Sequence, residues 1–263
     1  MTSAPDTVDP SLRPGPAQLR LVELARPVCD RHGLALAGGH GLRAHGVPAC
    51  DQDGITLVAD GLADLPRVAA DLAAAYRAAG GEASGRPGTP RWEQLTVRLA
   101  LGGRTHGVEL RKEPLGHRPV RLGPGPGADT AGAPAFPFVV DVVALEDAAA
   151  LATALLVDRA LPRDLIDVHA LTTCYREGEL LALAGALDAE FQPTALADRL
   201  EVLAETADGR FLARGPSAAE VDELKRWALA WAQDLRLDLL ETREAADGLH
   251  DPYLEEQEEQ EDA

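Results

Sequence analysis

Lysine is almost missing from this chain: Lys112 and Lys225 are the only two in 263 residues, and arginine supplies the rest of the 25 basic side chains against 43 acidic ones. The net charge of −18 opposes the extended basic face that a long nucleic-acid interface needs. Aromatic residues make up only 4%, so Ala, Leu and Val must do most of the packing. Three cysteines, Cys29, Cys50 and Cys174, stand far apart without metal-ligand spacing. That pattern argues for reduced thiols and against a disulfide framework. No stretch approaches the roughly 20 apolar residues of a membrane helix, and the N-terminus has no basic region followed by an apolar core. The expectation is a soluble cytoplasmic protein without a membrane partner.

What is present is 46% hydrophobic residues, enough for one large or two small domains with a real core. Residues 1–16, proline-rich and without periodicity, are expected to be a disordered leader, and residues 244–263 a solvated acidic tail. Ala17–His32 reads as an amphipathic helix, and Asp64 caps a second one that Pro66 starts. Ser84–Pro90 reads as a loop, Arg91–Leu101 and Thr105–Arg111 as a hairpin through Gly102-Gly103, and Val120–Leu122 and Phe138–Val143 as strands. The GPGPG segment before Phe138 excludes regular structure. From about Ala144 the pattern becomes almost wholly helical, over Glu146–Arg159, Arg163–Leu171, Glu177–Leu187, Thr194–Ala204 and Ala218–Leu240. This divides the chain into an α/β domain at 17–144 and a helical domain at 145–243.

The organising stretch is Leu34–Val58, LALAGGHGLRAHGVPACDQDGITLV. A short apolar run ends in Gly38-Gly39, and His40–His45 can then start a helix. Paired glycines between a strand and a helix bring backbone N–H groups to one point, which suits phosphate, although a plain β-α turn needs no ligand. Thirteen residues after Gly39 lies Gln52, the centre of Asp51-Gln52-Asp53. Two carboxylates at i, i+2 on an extended chain point the same way and can share a divalent cation.

On these residues the chain resembles the nucleotidyltransferase superfamily, and specifically the AbiEii/AbiGii-type toxins of bacterial abortive-infection and toxin–antitoxin systems. Their signature is a glycine pair on a strand-turn-helix, then an acid-x-acid pair on the next strand. The resemblance returns at Asp158–Leu171, DRALPRDLIDVHAL, which is similar to the family's helical segment with Arg-Asp, two residues, then Asp. It implies an α+β fold, a nucleotidyltransferase-like mixed sheet with helices followed by a C-terminal helical bundle. It also implies nucleotidyl transfer from an NTP with Mg2+ to an RNA or protein acceptor, and a small antitoxin as partner.

By resemblance Gly38, Gly39 and His40 hold the nucleotide, and Asp51, Asp53 and Glu109 are the metal ligands. Asp53, Glu109, Arg163, Asp164 and Asp167 carry or support the chemistry. Two departures weaken the pattern. In the family's usual register the acids fall at Asp53 and position 55, but position 55 is Ile55. Shifting the pair to Asp51 and Asp53 leaves Gly54 directly behind it, and Asp-Gly favours a turn. The first register is preferred. A lysine expected on the helix before Arg163 is replaced by Ala152. Transfer is therefore expected to be weak, and a catalytically inactive binding module is the alternative. On helix 163–171 alone, an Arg163–Asp167 surface ion pair would account for these charges equally well.

Overall fold

The computed structural model describes residues 13–50, 53–59, 61–89, 92–99, 104–124 and 136–248. The leader before residue 13, Asp51 and Gln52, Gly102-Gly103, residues 125–135 with most of the GPGPG segment, and the tail after Gly248 lie outside them. Helix α1 (Pro16–His32) is followed by β1 (Ala35–Ala37), α2 (Gly38–Ala44), β2 (Ile55–Ala59) and α3 (Leu65–Ala78). Then come β3 (Glu82–Thr89), β4 (Trp92–Arg98), β5 (Thr105–Lys112), β6 (Val120–Leu122) and β7 (Val140–Val142). The second half is helical: α4 (Leu145–Arg159), α5 (Pro162–Leu171), α6 (Glu177–Leu187), α7 (Pro193–Ala204), α8 (Gly209–Leu212) and α9 (Ala218–Gly248).

The strands form one mixed sheet in the order β3-β4-β5-β2-β1-β7-β6. Strand β2 runs antiparallel to β1 and parallel to β5, while β1 and β7 are parallel. Side chains alternate across this sheet. On one face Ile55 and Leu57 of β2 and Val108 and Leu110 of β5 pack with Leu21 and Val22 of α1 and Leu72 and Tyr76 of α3. On the other, Ala37 and Val58 pack with Leu42 of α2, Leu165 of α5, Leu200 of α7 and Trp231 of α9. A single apolar cluster therefore joins the sheet to the helical half.

The structure departs from the sequence expectations in several elements. Of the loop expected at Ser84–Pro90, the described residues up to Thr89 belong to a strand: β3 pairs antiparallel with β4, and its register shifts between Arg86 and Thr89. Proline and glycine are tolerated there because β3 is an edge strand, where an unpaired N–H or a bulge breaks no second ladder. Helix α2 starts at Gly38 rather than His40, and Gly38 has φ of 61°, a backbone conformation that glycine adopts without steric cost. Helix α9 continues to Gly248, past the expected end of the helical domain. Trp227 and Trp231 share a face of α9, with ring centroids 5.2 Å apart, and both pack into the helical core. Trp227 also donates from Nε1 to Glu177 at 2.9 Å. No helix among the described residues is long and apolar enough to cross a membrane.

Candidate functional site

The face of the sheet opposite α1 and α3 is covered by helices except where polar residues interrupt it. Thr56 and Glu109 are register partners on β2 and β5, and both lie on this face together with Arg111. Helix α4 contributes Ala152 and Arg159 to the opposite wall, and α5 contributes Arg163, Asp164 and Asp167. Gly38 closes one end of the resulting cavity of about 30 Å3. Through Thr56, Glu109 and Arg163 the cavity continues into an outer space of about 200 Å3, bordered also by Asp53 and Arg214.

The turn from α4 to α5 makes the helical wall. Ala160 ends α4 in the left-handed conformation, with φ of 46°, and Pro162 starts α5. A non-glycine residue bears a cost there, and the sharp reversal brings Arg159 back onto Asp164. Arg159 Nη2 donates to Asp164 Oδ1 at 2.6 Å, and Asp164 Oδ2 accepts the Leu161 N–H at 3.3 Å. Arg163 Nε lies 3.7 Å from the same carboxylate. On the floor Arg111 Nη1 donates to Glu109 at 3.2 Å and Arg111 Nε to the buried Glu113 at 2.9 Å, while Arg159 Nη1 approaches Glu109 at 3.6 Å. Arginine thus touches both Glu109 and Asp164, as suits its planar multi-donor head.

Burial pushes the Asp164 carboxyl above its ordinary range, against the opposing pull of Arg159. Asp167 is pushed up to about 7, chiefly by burial and in part by Asp164, against the Cys50 N–H that donates to its Oδ1 at 2.7 Å. A raised carboxyl keeps its proton in the folded chain where the unfolded chain has lost it. Between the ordinary carboxylate range near 3.8 and about 7, stability therefore falls as pH rises, and above that window the loss is constant. Asp167→Asn keeps an acceptor for Cys50 but has no proton to lose. Its melting temperature relative to the wild type is expected to rise from pH 5 to about pH 7 and then level off, as thermal unfolding at several pH values would show; a constant difference would refute this.

Arg163, Asp164 and Asp167 border the same cavity as Gly38. Glu109 also reaches it, but with Arg111 and Arg159 around it. Gly39 and His40 lie buried within the first turn of α2. Asp53 stands at the outer rim, its side chain 70% exposed and 3.5 Å from Arg104.

The preferred register of the acidic pair needs correction. Ile55 points into the core with α1 and α3, and its neighbour Thr56 faces the cleft. The i, i+2 positions on the cleft side are Gly54 and Thr56, neither of them an acid. Among the described residues no three His, Cys, Asp or Glu side chains are grouped to hold a metal ion. The donor set explains this: one floor carboxylate is already engaged by guanidinium groups, and a hydroxyl and a glycine stand where two further carboxylates would be needed. The described residues do not fit Mg2+.

The sequence reading passed over Thr56 and Arg159 as site residues. Thr56 becomes visible only through the pairing of β2 with β5, which sets it beside Glu109 on the cleft face. Arg159 lies five residues from Asp164 across a helix break, a spacing that no single-helix pattern reveals.

This architecture, a seven-stranded mixed sheet carrying the glycine turn with a helical half packed over it, is a nucleotidyltransferase-like fold. MenT4, nucleotidyltransferase toxin Rv2826c from Mycobacterium tuberculosis H37Rv, is similar to it with a TM-score of 0.53 and 22% sequence identity over 83% of this chain and 82% of that chain. JHP933 from Helicobacter pylori gives a TM-score of 0.48 and 14% identity over 93% of this chain and 100% of that one. No protein-family model and no curated protein matches the chain.

Proposed function

We propose that this chain binds a nucleoside triphosphate in the cleft between the sheet and helices α4 and α5, and that nucleotidyl transfer from it to an RNA or protein acceptor is weak. One observation carries the reading: Arg111, Arg159 and Arg163 converge on the cavity that Gly38 closes, in a fold shared with a nucleotidyltransferase toxin. Guanidinium groups suit phosphate oxygens by both charge and geometry. Arg163 is placed to meet phosphate, and Asp164 positions Arg159. The weakness of transfer follows from Gly54 and Thr56, since a reacting phosphate gains most from a metal held by at least two carboxylates. The same two residues favour the second reading, a nucleotide-binding module without transfer. An AbiEii-type toxin role in the bacterial cytoplasm, with a small antitoxin as partner, belongs to this proposal through the motif resemblance and the MenT4 likeness.

The test is incubation with each radiolabelled NTP, Mg2+ and cellular RNA or protein, comparing the wild type with Asp51→Ala, Asp53→Ala and Glu109→Gln. The expected result is faint or no labelling. Strong labelling that both aspartate variants abolish would overturn the weak-transfer reading and make Asp51-Gln52-Asp53 a working metal pair.

A further inference from the structure

We infer that the cleft takes the polyphosphate of a nucleotide directly on Arg159 and Arg163, with no divalent cation between them. This rests on the nucleotide-binding reading above and departs from the metal-bridged binding that the motif resemblance implies.

Three independent features lead to it. First, the floor offers a cation very little. Among the described residues Glu109 is its only carboxylate, held by Arg111 at 3.2 Å and approached by Arg159 at 3.6 Å. The acid cannot be supplied from position 54 on this backbone, because a Cβ there would run into the Gly107 carbonyl, with the carbonyl carbon at 2.9 Å and the Gly107 nitrogen at 3.1 Å. Second, the remaining carboxylates are committed to the protein itself. Asp164 is bonded to Arg159 and to the Leu161 N–H, and Asp167 accepts from the Cys50 N–H. A divalent ion would find one carboxylate, Glu109, already engaged by guanidinium groups, short of the oxygen ligands it needs.

Third, the arginines have donors to spare. The Nε–H groups of Arg159 and Arg163 are both buried without a hydrogen-bond acceptor, and both residues line the cavity. Buried charged donors left unsatisfied are costly, so an acceptor that these side chains can turn to meet is favoured. A phosphate oxygen meets that need with charge as well as geometry, and an outer space shares Thr56, Glu109 and Arg163 with the cavity. Glu109 then acts as a built-in competitor: it occupies Arg111 and faces Arg159, and an incoming phosphate must share Arg159 with it.

This fixes the sign of a substitution effect that the two modes of binding predict oppositely. If Glu109 holds a metal, Glu109→Gln weakens binding in Mg2+. If Glu109 competes with phosphate, Glu109→Gln strengthens binding in EDTA. The experiment is equilibrium dialysis of the full chain with radiolabelled ATP, GTP, CTP and UTP, each in Mg2+ and in excess EDTA. The expected results are affinities in EDTA within about threefold of those in Mg2+ and a roughly two- to fivefold gain for Glu109→Gln in EDTA. Arg163→Ala is expected to lose about tenfold or more, and Arg163→Lys to lose less. Circular-dichroism melts establish that each variant is folded, and Glu109→Gln keeps the test informative should Arg163→Ala fail to fold. Binding that requires Mg2+ and is weakened by Glu109→Gln would overturn the inference and leave nucleotide binding standing. No binding under either condition would overturn both.

Discussion

Arg159→Ala is expected to destabilise the protein by about 2–4 kcal/mol, measured as a lower midpoint in urea unfolding with an unchanged m-value. Asp164 is almost fully buried, with its side chain 3% exposed, and Arg159 is its near partner at 2.6 Å. Removing the guanidinium leaves that carboxylate with the Leu161 N–H and the more distant Arg163. The top of the range for breaking a buried pair is not expected, because Arg159 is itself 25% exposed and Arg163 can move in. Pairing the change with Asp164→Asn should recover part of the loss, since the amide needs no counter-charge. A double-mutant cycle then isolates the coupling. Additive effects would mean that the two side chains touch without depending on each other.

Gly54→Asp, the substitution that would restore an acid on the cleft side of β2, is expected to cost about 3 kcal/mol and to create no metal site. The clash lies between a Cβ and backbone atoms of Gly107 on the neighbouring strand, so no rotamer change relieves it. The strands must separate at the end of β2, where Ile55 pairs with Val108. Thr56→Asp is the informative contrast. Thr56 already carries a Cβ, faces the cavity and pairs with Glu109. An aspartate there places two carboxylates side by side, raising the proton affinity of the pair and offering a divalent ion a shared site. Calorimetric titration with Mn2+ should detect binding to Thr56→Asp and none to Gly54→Asp. A Gly54→Asp variant as stable as the wild type would show that β2 and β5 can move apart freely, contrary to the tight backbone contact.

Much of the fold is legible in the sequence because its signals are local. The alternation in Thr105–Arg111 put Val108 and Leu110 on one face and Glu109 with Arg111 on the other, and the structure keeps that division. Asp64 and Pro66 marked the start of α3, where the Asp64 side chain accepts the Arg67 N–H. Helical spacing set α4 to α7 and α9 apart from the strands, while the short α8 went unread. The edge strand β3 was hidden because Pro87 and Gly88 look like loop residues, and only the pairing with β4 makes them part of a sheet.

The site divides along the same line. By itself the sequence determined which chemistry could be assembled: a glycine turn after β1, Glu109 on an alternating strand, an Arg-Asp-x-x-Asp helix and almost no lysine, all of them matters of residue type and short-range spacing. The tertiary structure alone decided what faces what. The pairing of β2 with β1 and β5 turned Thr56 rather than Ile55 to the cleft, since a one-residue slip of register exchanges the two faces of a strand. The reversal at Ala160 brought Arg159 onto Asp164, and the packing of α4 against the sheet brought it within reach of Glu109. Long-range contacts of this kind depend on how separate elements pack, and packing depends on the summed burial of residues far apart in the chain, which no local pattern records.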